Sequence, residues 1–94
     1  MSDLLGDKEI NAALKKLPEW ELEKGKLTRV VEFEDFMEAI DFVNLLAEVA
    51  EEEGHHPDID IRYSRVTVAL ITHDAGGITE ADLNMAQRVE NLVE

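Results

Sequence analysis

The spacing of apolar residues along the chain predicts three helices and four strands. At the start of the chain, Asp7 is a candidate N-cap for a short helix that Pro18 ends. The apolar residues of this helix are Ile10, Ala13, Leu14 and Leu17. Their spacing favours a helix between the cap and the proline.

A hairpin is predicted after this helix. Its strands are expected at residues 20–23 and 27–33, with residues 24–25, Lys-Gly, in the turn. The apolar residues on one face of the second strand are Leu27, Val31 and Phe33. Because Arg29 lies on the same face, we expect burial of that face to be incomplete.

The longest apolar stripe predicts the main core helix. Asp35 is its candidate N-cap, and Glu38 stands where a side chain can reach back to the capping residue. The stripe consists of Phe36, Ile40, Val43, Ala47 and Ala50, and it is widened by Phe42, Leu46 and Val49. The helix is expected to run to about Glu53, because Gly54 can adopt the left-handed conformation that ends helices.

Alternating residues then predict a second hairpin, with its turn near Ser64. The apolar faces of its strands are expected to carry Ile59, Ile61 and Tyr63 on the first strand, and Val66, Val68 and Leu70 on the second. After a break at residues 76–77, Thr79 is the candidate cap of a last helix with Asp82 at its third position. The buried side of that helix is predicted to be Leu83, Ala86, Val89, Leu92 and Val93.

Two hairpins with amphipathic helices indicate an α+β fold, in which helices pack on one face of a four-stranded antiparallel sheet. The predicted element order is α-β-β-α-β-β-α. Residues 1–94 contain no internal linker, so we expect a single domain.

Composition narrows the classes of function. The chain has 22 acidic and 9 basic residues, and its net charge of −13 would repel phosphate backbones and anionic lipid surfaces. We therefore expect no nucleic-acid partner and no membrane partner. The lack of cysteine excludes disulfides, thiol nucleophiles and thiolate metal ligands. Without a long apolar stretch or a signal-peptide pattern, a cytoplasmic location is expected.

The three histidines follow the ends of predicted elements. His55 and His56 come directly after the core helix, and His73 follows the last strand. An antiparallel pairing of residues 59–63 with 66–70 would bring these two points together, so we expect the histidines to be neighbours. Free imidazole has a pKa of about 6.5, so such a cluster can exchange protons near neutral pH.

The histidines are part of a longer pattern. Its members stand at fixed spacing and are Glu51, His55, His56, Pro57, Tyr63, His73 and Asp82. This pattern resembles the signature of the pterin-4a-carbinolamine dehydratases. Further positions similar to the family are Trp20, Phe33, Phe36, Ala39 and Phe42. The resemblance therefore extends over about residues 7–93.

The resemblance implies dehydration of a 4a-hydroxytetrahydropterin to a quinonoid dihydropterin by a general acid and a general base, without a metal or cofactor. His55 and His73 are the expected catalytic residues. His55 follows the carbonyl-rich helix end, which favours the acid role, although the acid and base assignments can be exchanged. The expected substrate-binding residues are His56, Pro57, Glu51, Tyr63 and Asp82. The family also implies a homodimer or homotetramer whose substrate is a small-molecule pterin.

Two other classes of function stay open. The three histidines and a nearby carboxylate offer nitrogen and oxygen ligands, so a metal-binding protein is one alternative. The other is a dimerisation or binding module, because animal relatives stabilise a transcription-factor dimer through a helical surface. Asp82 also has a purely structural alternative, as the capping-box partner of Thr79.

Overall fold

A computed structural model of the chain describes residues 4–93. The helices are α1 (Asp7–Lys15), α2 (Phe36–Glu53) and α3 (Glu80–Val93). The strands are β1 (Glu21–Glu23), β2 (Lys26–Glu32), β3 (Asp58–Arg62) and β4 (Arg65–Leu70). The predicted α+β class and element order are confirmed.

The four strands form one antiparallel sheet in the order β1-β2-β4-β3. The central strands β2 and β4 pair along their length, and α2 and α3 pack over them. The buried sheet residues that face the helices are Leu27, Val31, Val66, Val68 and Leu70. On the opposite face of β2, Val30 is exposed, which indicates that the helices cover one side only.

Arg29, on the inner face of β2, and Phe33, directly after the strand, are only partly buried, and Arg29 has a charged partner there. The Arg29 side chain is only 12% exposed, and its Nε donates a hydrogen bond to Glu90 Oε2 at 2.7 Å. The same oxygen accepts a hydrogen bond from Trp20 Nε1 at 2.8 Å. Leu27 and Val31 are therefore fully packed, because Glu90 from α3 supplies an opposite charge where a cation enters the core.

The helix ends follow the predicted chemistry with two shifts. The N-cap of α1 is Gly6, not Asp7, and the Gly6 amide donates to Glu9 Oε1 at 2.9 Å. Asp35 caps α2 as predicted, accepting from the Glu38 amide at 2.9 Å. The Glu38 side chain, however, accepts from the amide of Glu34 at 3.1 Å, one residue before the cap.

The buried face of α2 is rotated from the predicted stripe. The buried residues are Ala39, Phe42, Leu46, Val49 and Ala50. Phe36 and Ala47 are exposed, while Ile40 and Val43 are half-buried at the margin. The residues expected only to widen the stripe form its centre, because they face α3 and β4.

Strand β3 also departs from the prediction. Ile59 and Ile61 share the helix-facing side with Val68 and Val66, yet they are 38% and 37% exposed. The reason is that β3 is an edge strand, beyond the area over which the helices lie.

None of the helices within residues 4–93 has the length and apolar character needed to cross a membrane.

Candidate active site

The C-terminus of α2 presents His55. Gly54 takes the left-handed conformation (φ 64°, ψ 29°), as predicted, and ends the helix. The amides of Gly54 and His55 both donate to the carbonyl of Ala50, the latter at 3.1 Å. This turn fixes the direction in which the chain leaves α2 and brings His55 to the first turn of α3.

His55 is paired with a buried carboxylate. Its Nε2 lies 2.6 Å from Asp82 Oδ1, and the side chains of His55 and Asp82 are 15% and 0% exposed. Asp82 stands at the third position of α3, where its other oxygen, Oδ2, accepts from the Thr79 amide at 2.8 Å. The Ala81 amide donates to Thr79 Oγ1 at 3.2 Å, so Thr79 is the cap that the sequence predicted.

A second hydroxyl also binds this carboxylate. Thr72 Oγ1 donates to Asp82 Oδ2 at 2.7 Å and lies 2.8 Å from Thr79 Oγ1. Asp82 thus has partners at both oxygens, and these hydrogen bonds offset the loss of hydration of a fully buried carboxyl group. Among the side chains described, no buried polar atom is left without a hydrogen-bond partner.

The contact with Asp82 assigns the tautomer of the His55 ring. Because an ionised carboxylate only accepts hydrogen bonds, Nε2 carries a proton and donates to Asp82. Within residues 4–93 the other ring nitrogen, Nδ1, has no hydrogen-bond partner. Every buried side-chain nitrogen and oxygen described does have a partner, so Nδ1 is not buried. Nδ1 is therefore open to solvent. It can accept a proton when the ring is neutral and donate one when the ring is charged.

All three histidines line one open surface pocket of about 240 Å3. The residues around it are Gly54, His55, His56, Ile71, Thr72, His73 and Asp74. His73 lies on the segment between β4 and α3, which turns back on itself through a bridge between Thr72 and Gly77. The Gly76 amide donates to the His73 carbonyl at 3.1 Å, and Gly76 has a positive φ of 76°. The segments that follow α2 and β4, which the second hairpin was expected to bring together, therefore do meet at this pocket.

His56 lies at the rim of this pocket. Its Nε2 is 2.6 Å from Glu51 Oε2, and both side chains are largely exposed. Pro57, half-buried, follows and leads into β3. Glu51 therefore contacts one of the predicted site residues, although it does not itself line the pocket.

Tyr63 is not brought to the histidines within one chain. It occupies the turn between β3 and β4 with a positive φ of 54°, and it is 69% exposed. The five residues of β3 separate it from the histidine end by roughly 16 Å, at about 3.3 Å per residue. Asp82 is wholly buried and contacts the pocket through two residues that line it, His55 and Thr72. The substrate-binding roles of Tyr63 and Asp82 stay predictions.

Within the described part of the chain, no three histidine, aspartate or glutamate side chains are arranged to hold a metal ion. The pairing of His55 with Asp82 and of His56 with Glu51 directs the adjacent histidines to different partners. This arrangement gives the metal-binding alternative no support.

Thr72, which lines the pocket and bonds to Asp82, was not among the predicted site residues. A hydroxyl just beyond a strand is a weak signal, because threonine is common in strands and their turns. Its one distinguishing feature was its place directly before His73. Likewise, the sequence placed Asp82 in a capping box but contained no sign that its second oxygen would face His55, 27 residues earlier.

The fold and the site together define a small α+β protein with a histidine–carboxylate pair beside two further histidines at one pocket. Residues 3–92 match the family model described as pterin 4 alpha carbinolamine dehydratase, and the chain belongs to this family.

Relatives and solved structures agree with this membership. A protein of Acidobacterium capsulatum, named provisionally as a pterin-4-alpha-carbinolamine dehydratase, is 55% identical over 95% of this chain and 97% of its own length. A Cyanothece protein with the same provisional name is 50% identical over 98% of this chain and 95% of its own.

Among solved structures, the transcriptional coactivator/pterin dehydratase from Brucella melitensis superposes with a TM-score of 0.93. It is 36% identical, over 98% of this chain and all of that one. A pterin dehydratase-like protein identified as a RuBisCO assembly factor in the alpha-carboxysome gives a TM-score of 0.65 at 27% identity. That match covers 79% of this chain and 86% of the neighbour.

Proposed function

We propose that the chain is an enzyme that dehydrates a 4a-hydroxytetrahydropterin to the quinonoid dihydropterin and water. Family membership supports the substrate class. The observation that carries the proposal is the His55–Asp82 pair, which engages Nε2 and leaves Nδ1 without a partner among the described residues, on a ring that lines a pocket with His56 and His73.

The reaction needs two proton transfers and no redox step. The C4a–O bond breaks as an acid protonates the leaving hydroxyl, which departs as water. A base takes the proton from N5, and the electron pair of the N–H bond becomes the second bond of C4a=N5. A positioned acid or base typically contributes about 10² to 10⁴-fold to the rate of such a step.

His55 is the first proposed proton carrier. Its ring can deliver a proton through Nδ1, and Asp82 stabilises the charged ring through Nε2 in the way a buried carboxylate orients a catalytic imidazole. His73, which lines the same pocket, is the proposed second carrier. Either assignment of acid and base satisfies the chemistry, because imidazole is a side chain that can serve as a general acid or a general base.

The remaining residues are proposed to bind the pterin. His56, which is exposed and paired with Glu51, lines the pocket, and the half-buried Pro57 follows it in the chain. We also propose that the reaction proceeds in the cytoplasm without a membrane or nucleic-acid partner, in keeping with the net charge of −13.

The direct test is a coupled assay with purified protein lacking a histidine tag. A hydroxylase generates the carbinolamine in place, and its disappearance is followed by ultraviolet absorbance. The protein should accelerate this loss well above the spontaneous rate, and the His55→Ala variant should not. Equal rates with and without the wild-type protein would overturn the proposal.

A further inference from the structure

We propose that Thr72 is a positioning residue, which holds the Asp82 carboxylate so that His55 presents Nδ1 to the pocket. This inference rests on the proposed function, because it concerns the same histidines. Thr72 belongs to no helix or strand and stands directly before His73. It contacts the Asp82 carboxylate at Oδ2, the oxygen opposite to the one that bonds to His55, and it is covalently joined to His73.

The hydroxyl of Thr72 belongs to a chain of hydrogen bonds with one possible direction. Oγ1 lies 2.7 Å from Asp82 Oδ2 and 2.8 Å from Thr79 Oγ1. A hydroxyl has one proton, and an ionised carboxylate only accepts, so Thr72 donates to Asp82 and accepts from Thr79. The proton of Thr72 thus points at Oδ2, while His55 donates to Oδ1 of the same carboxylate.

The backbone of Thr72 fixes this hydroxyl in space. Its amide donates to the Gly77 carbonyl at 2.9 Å, and its own carbonyl accepts from the amides of Ala75 and Gly76 at 3.1 and 2.9 Å. Backbone hydrogen bonds to Thr72 therefore hold together the turn that carries His73. A rigid backbone with a directed side chain is what a positioning residue needs, since small displacements of catalytic groups lower rates strongly.

The helix start does not depend on Thr72. The Thr79 amide bonds to Asp82 Oδ2, and the Ala81 amide bonds to Thr79 Oγ1. These two contacts satisfy the first turn of α3 as a capping box without any group from Thr72. The additional bond from Thr72 acts on the carboxylate itself, and through it on the His55 ring.

Replacement of the hydroxyl by a methyl group of similar size tests this role. Thr72→Val should lower kcat by on the order of tenfold with KM little changed, the usual cost of removing an outer partner of a functional histidine. Thr72→Ser, which keeps the hydroxyl, is the matched control and should stay close to wild type. Thermal unfolding of both variants establishes that they are folded at the assay temperature.

A second measurement does not require activity. Long-range proton–nitrogen NMR at a pH where the rings are neutral should find His55 as the Nε2–H tautomer in wild type and Thr72→Ser. In Thr72→Val the signals should indicate a mixture of both tautomers, because Asp82 is held less firmly. A merely structural threonine would lower stability without altering this signature.

The two measurements distinguish failure of the proposed dehydratase function from failure of the proposed role of Thr72. If the wild type lacks dehydratase activity, the proposed function fails, and the tautomer comparison alone decides the role of Thr72. The role is overturned if folded Thr72→Val retains wild-type kcat and a single tautomer. It is also overturned if wild-type His55 is the Nδ1–H tautomer, which can be measured even when Thr72→Val does not fold.

Discussion

At the scale of single residues, Asp82 combines two tasks with its two oxygens. Oδ2 accepts the Thr79 amide as part of a capping box, and Oδ1 accepts His55 Nε2. A carboxylate with no exposed surface would be costly if it lacked partners, but donors from a backbone amide, a hydroxyl and an imidazole offset its desolvation. The same helix start therefore provides a fixed anion against which the ring of His55 is oriented.

The individual histidines lead to the first prediction. His55→Ala and His73→Ala should each lower kcat by roughly 10²-fold or more with modest change in KM, because each removes a proton carrier from the transition state. His56→Ala should act mainly on KM, as expected of an exposed residue at the pocket rim. Steady-state kinetics of the three variants checks this.

The double variant His55→Ala/His73→Ala provides an internal control. Since both residues serve one transition state, its loss should be smaller than the product of the single losses. Circular dichroism must establish that each variant is folded before its kinetics are interpreted, because His55→Ala also removes a donor from the buried Asp82 carboxylate. If all three single variants fold and retain native kcat and KM, the histidine cluster is not the active site.

The sequence predicted which residues of the site lie at element ends, but not how they contact one another. The positions of His55 and His73 followed from apolar spacing and from the glycine that ends α2. The contact of His55 with Asp82 joins residues that are 27 apart, and its geometry depends on how α3 packs against the end of α2. Local patterns do not contain that information, and the role of Thr72 was missed for the same reason.

At the level of helices and strands, the end of α2 is linked to α3 by two salt bridges from one arginine. Arg88 donates to Glu53 at 2.7 Å and to Glu52 at 2.9 Å. These two carboxylates raise the pKa of Arg88, so the guanidinium remains charged. These salt bridges link α2, which ends before His55, to α3, which carries Asp82.

The glycine that ends α2 leads to the second prediction. Gly54→Ala should lower the free energy of unfolding by about 1–2 kcal/mol, because a Cβ is strained at a positive φ. It should also lower kcat, since relaxation of the strained turn moves His55. Chemical denaturation and steady-state kinetics measure the two effects.

Gly25→Ala is the matched control for that variant. Gly25 also has a positive φ, and neither glycine has a neighbouring atom within 4 Å of an added Cβ. Gly25 lies in the β1–β2 turn, outside the pocket, so a similar loss of stability should leave kcat unchanged. An equal loss of kcat in both variants would contradict a specific role for the turn at Gly54.

Elements were predicted well where their determinants are local. The cap at Asp35, the left-handed Gly54 and the Thr79–Asp82 box depend on neighbouring residues, and each occurs as expected. The errors lie where burial depends on distant partners. Periodicity indicated that Ile59 and Ile61 form an apolar face, but it could not indicate that β3 would be an edge strand beyond the helices.

At the scale of the whole molecule, the proposed chemistry leads to the third prediction. Both steps are proton transfers between imidazole and substrate, so activity should survive exhaustive treatment with a chelator. The measurement is the dehydratase assay on tag-free protein before and after chelation, with added zinc as the complementary condition. Loss of turnover on chelation and its recovery with zinc would support a metal enzyme instead.

The exposed apolar surface leads to the last prediction, which concerns assembly. Strand β3 has an unpaired edge with Ile59 and Ile61 only partly covered, and α2 exposes Met37 and Leu45 on its outer side. A chain of 94 residues buries a limited fraction of its own surface, so pairing of such an edge or helix face with a second copy would remove apolar area from water. We therefore expect a homodimer or homotetramer, and light scattering at physiological salt, which screens the net charge of −13, should give a mass well above 10.6 kDa.

Two variants identify the surface that is used. Ile61→Lys places a charge at the β3 edge, and Leu45→Lys places one on the outer side of α2, so dissociation should follow in the variant whose residue lies at a contact. Val30→Lys, on the open face of the sheet, is the control for a lysine at an exposed apolar position. If wild-type protein has a mass of only 10.6 kDa at micromolar concentration, the chain is a monomer and its edges are protected by charge and twist alone.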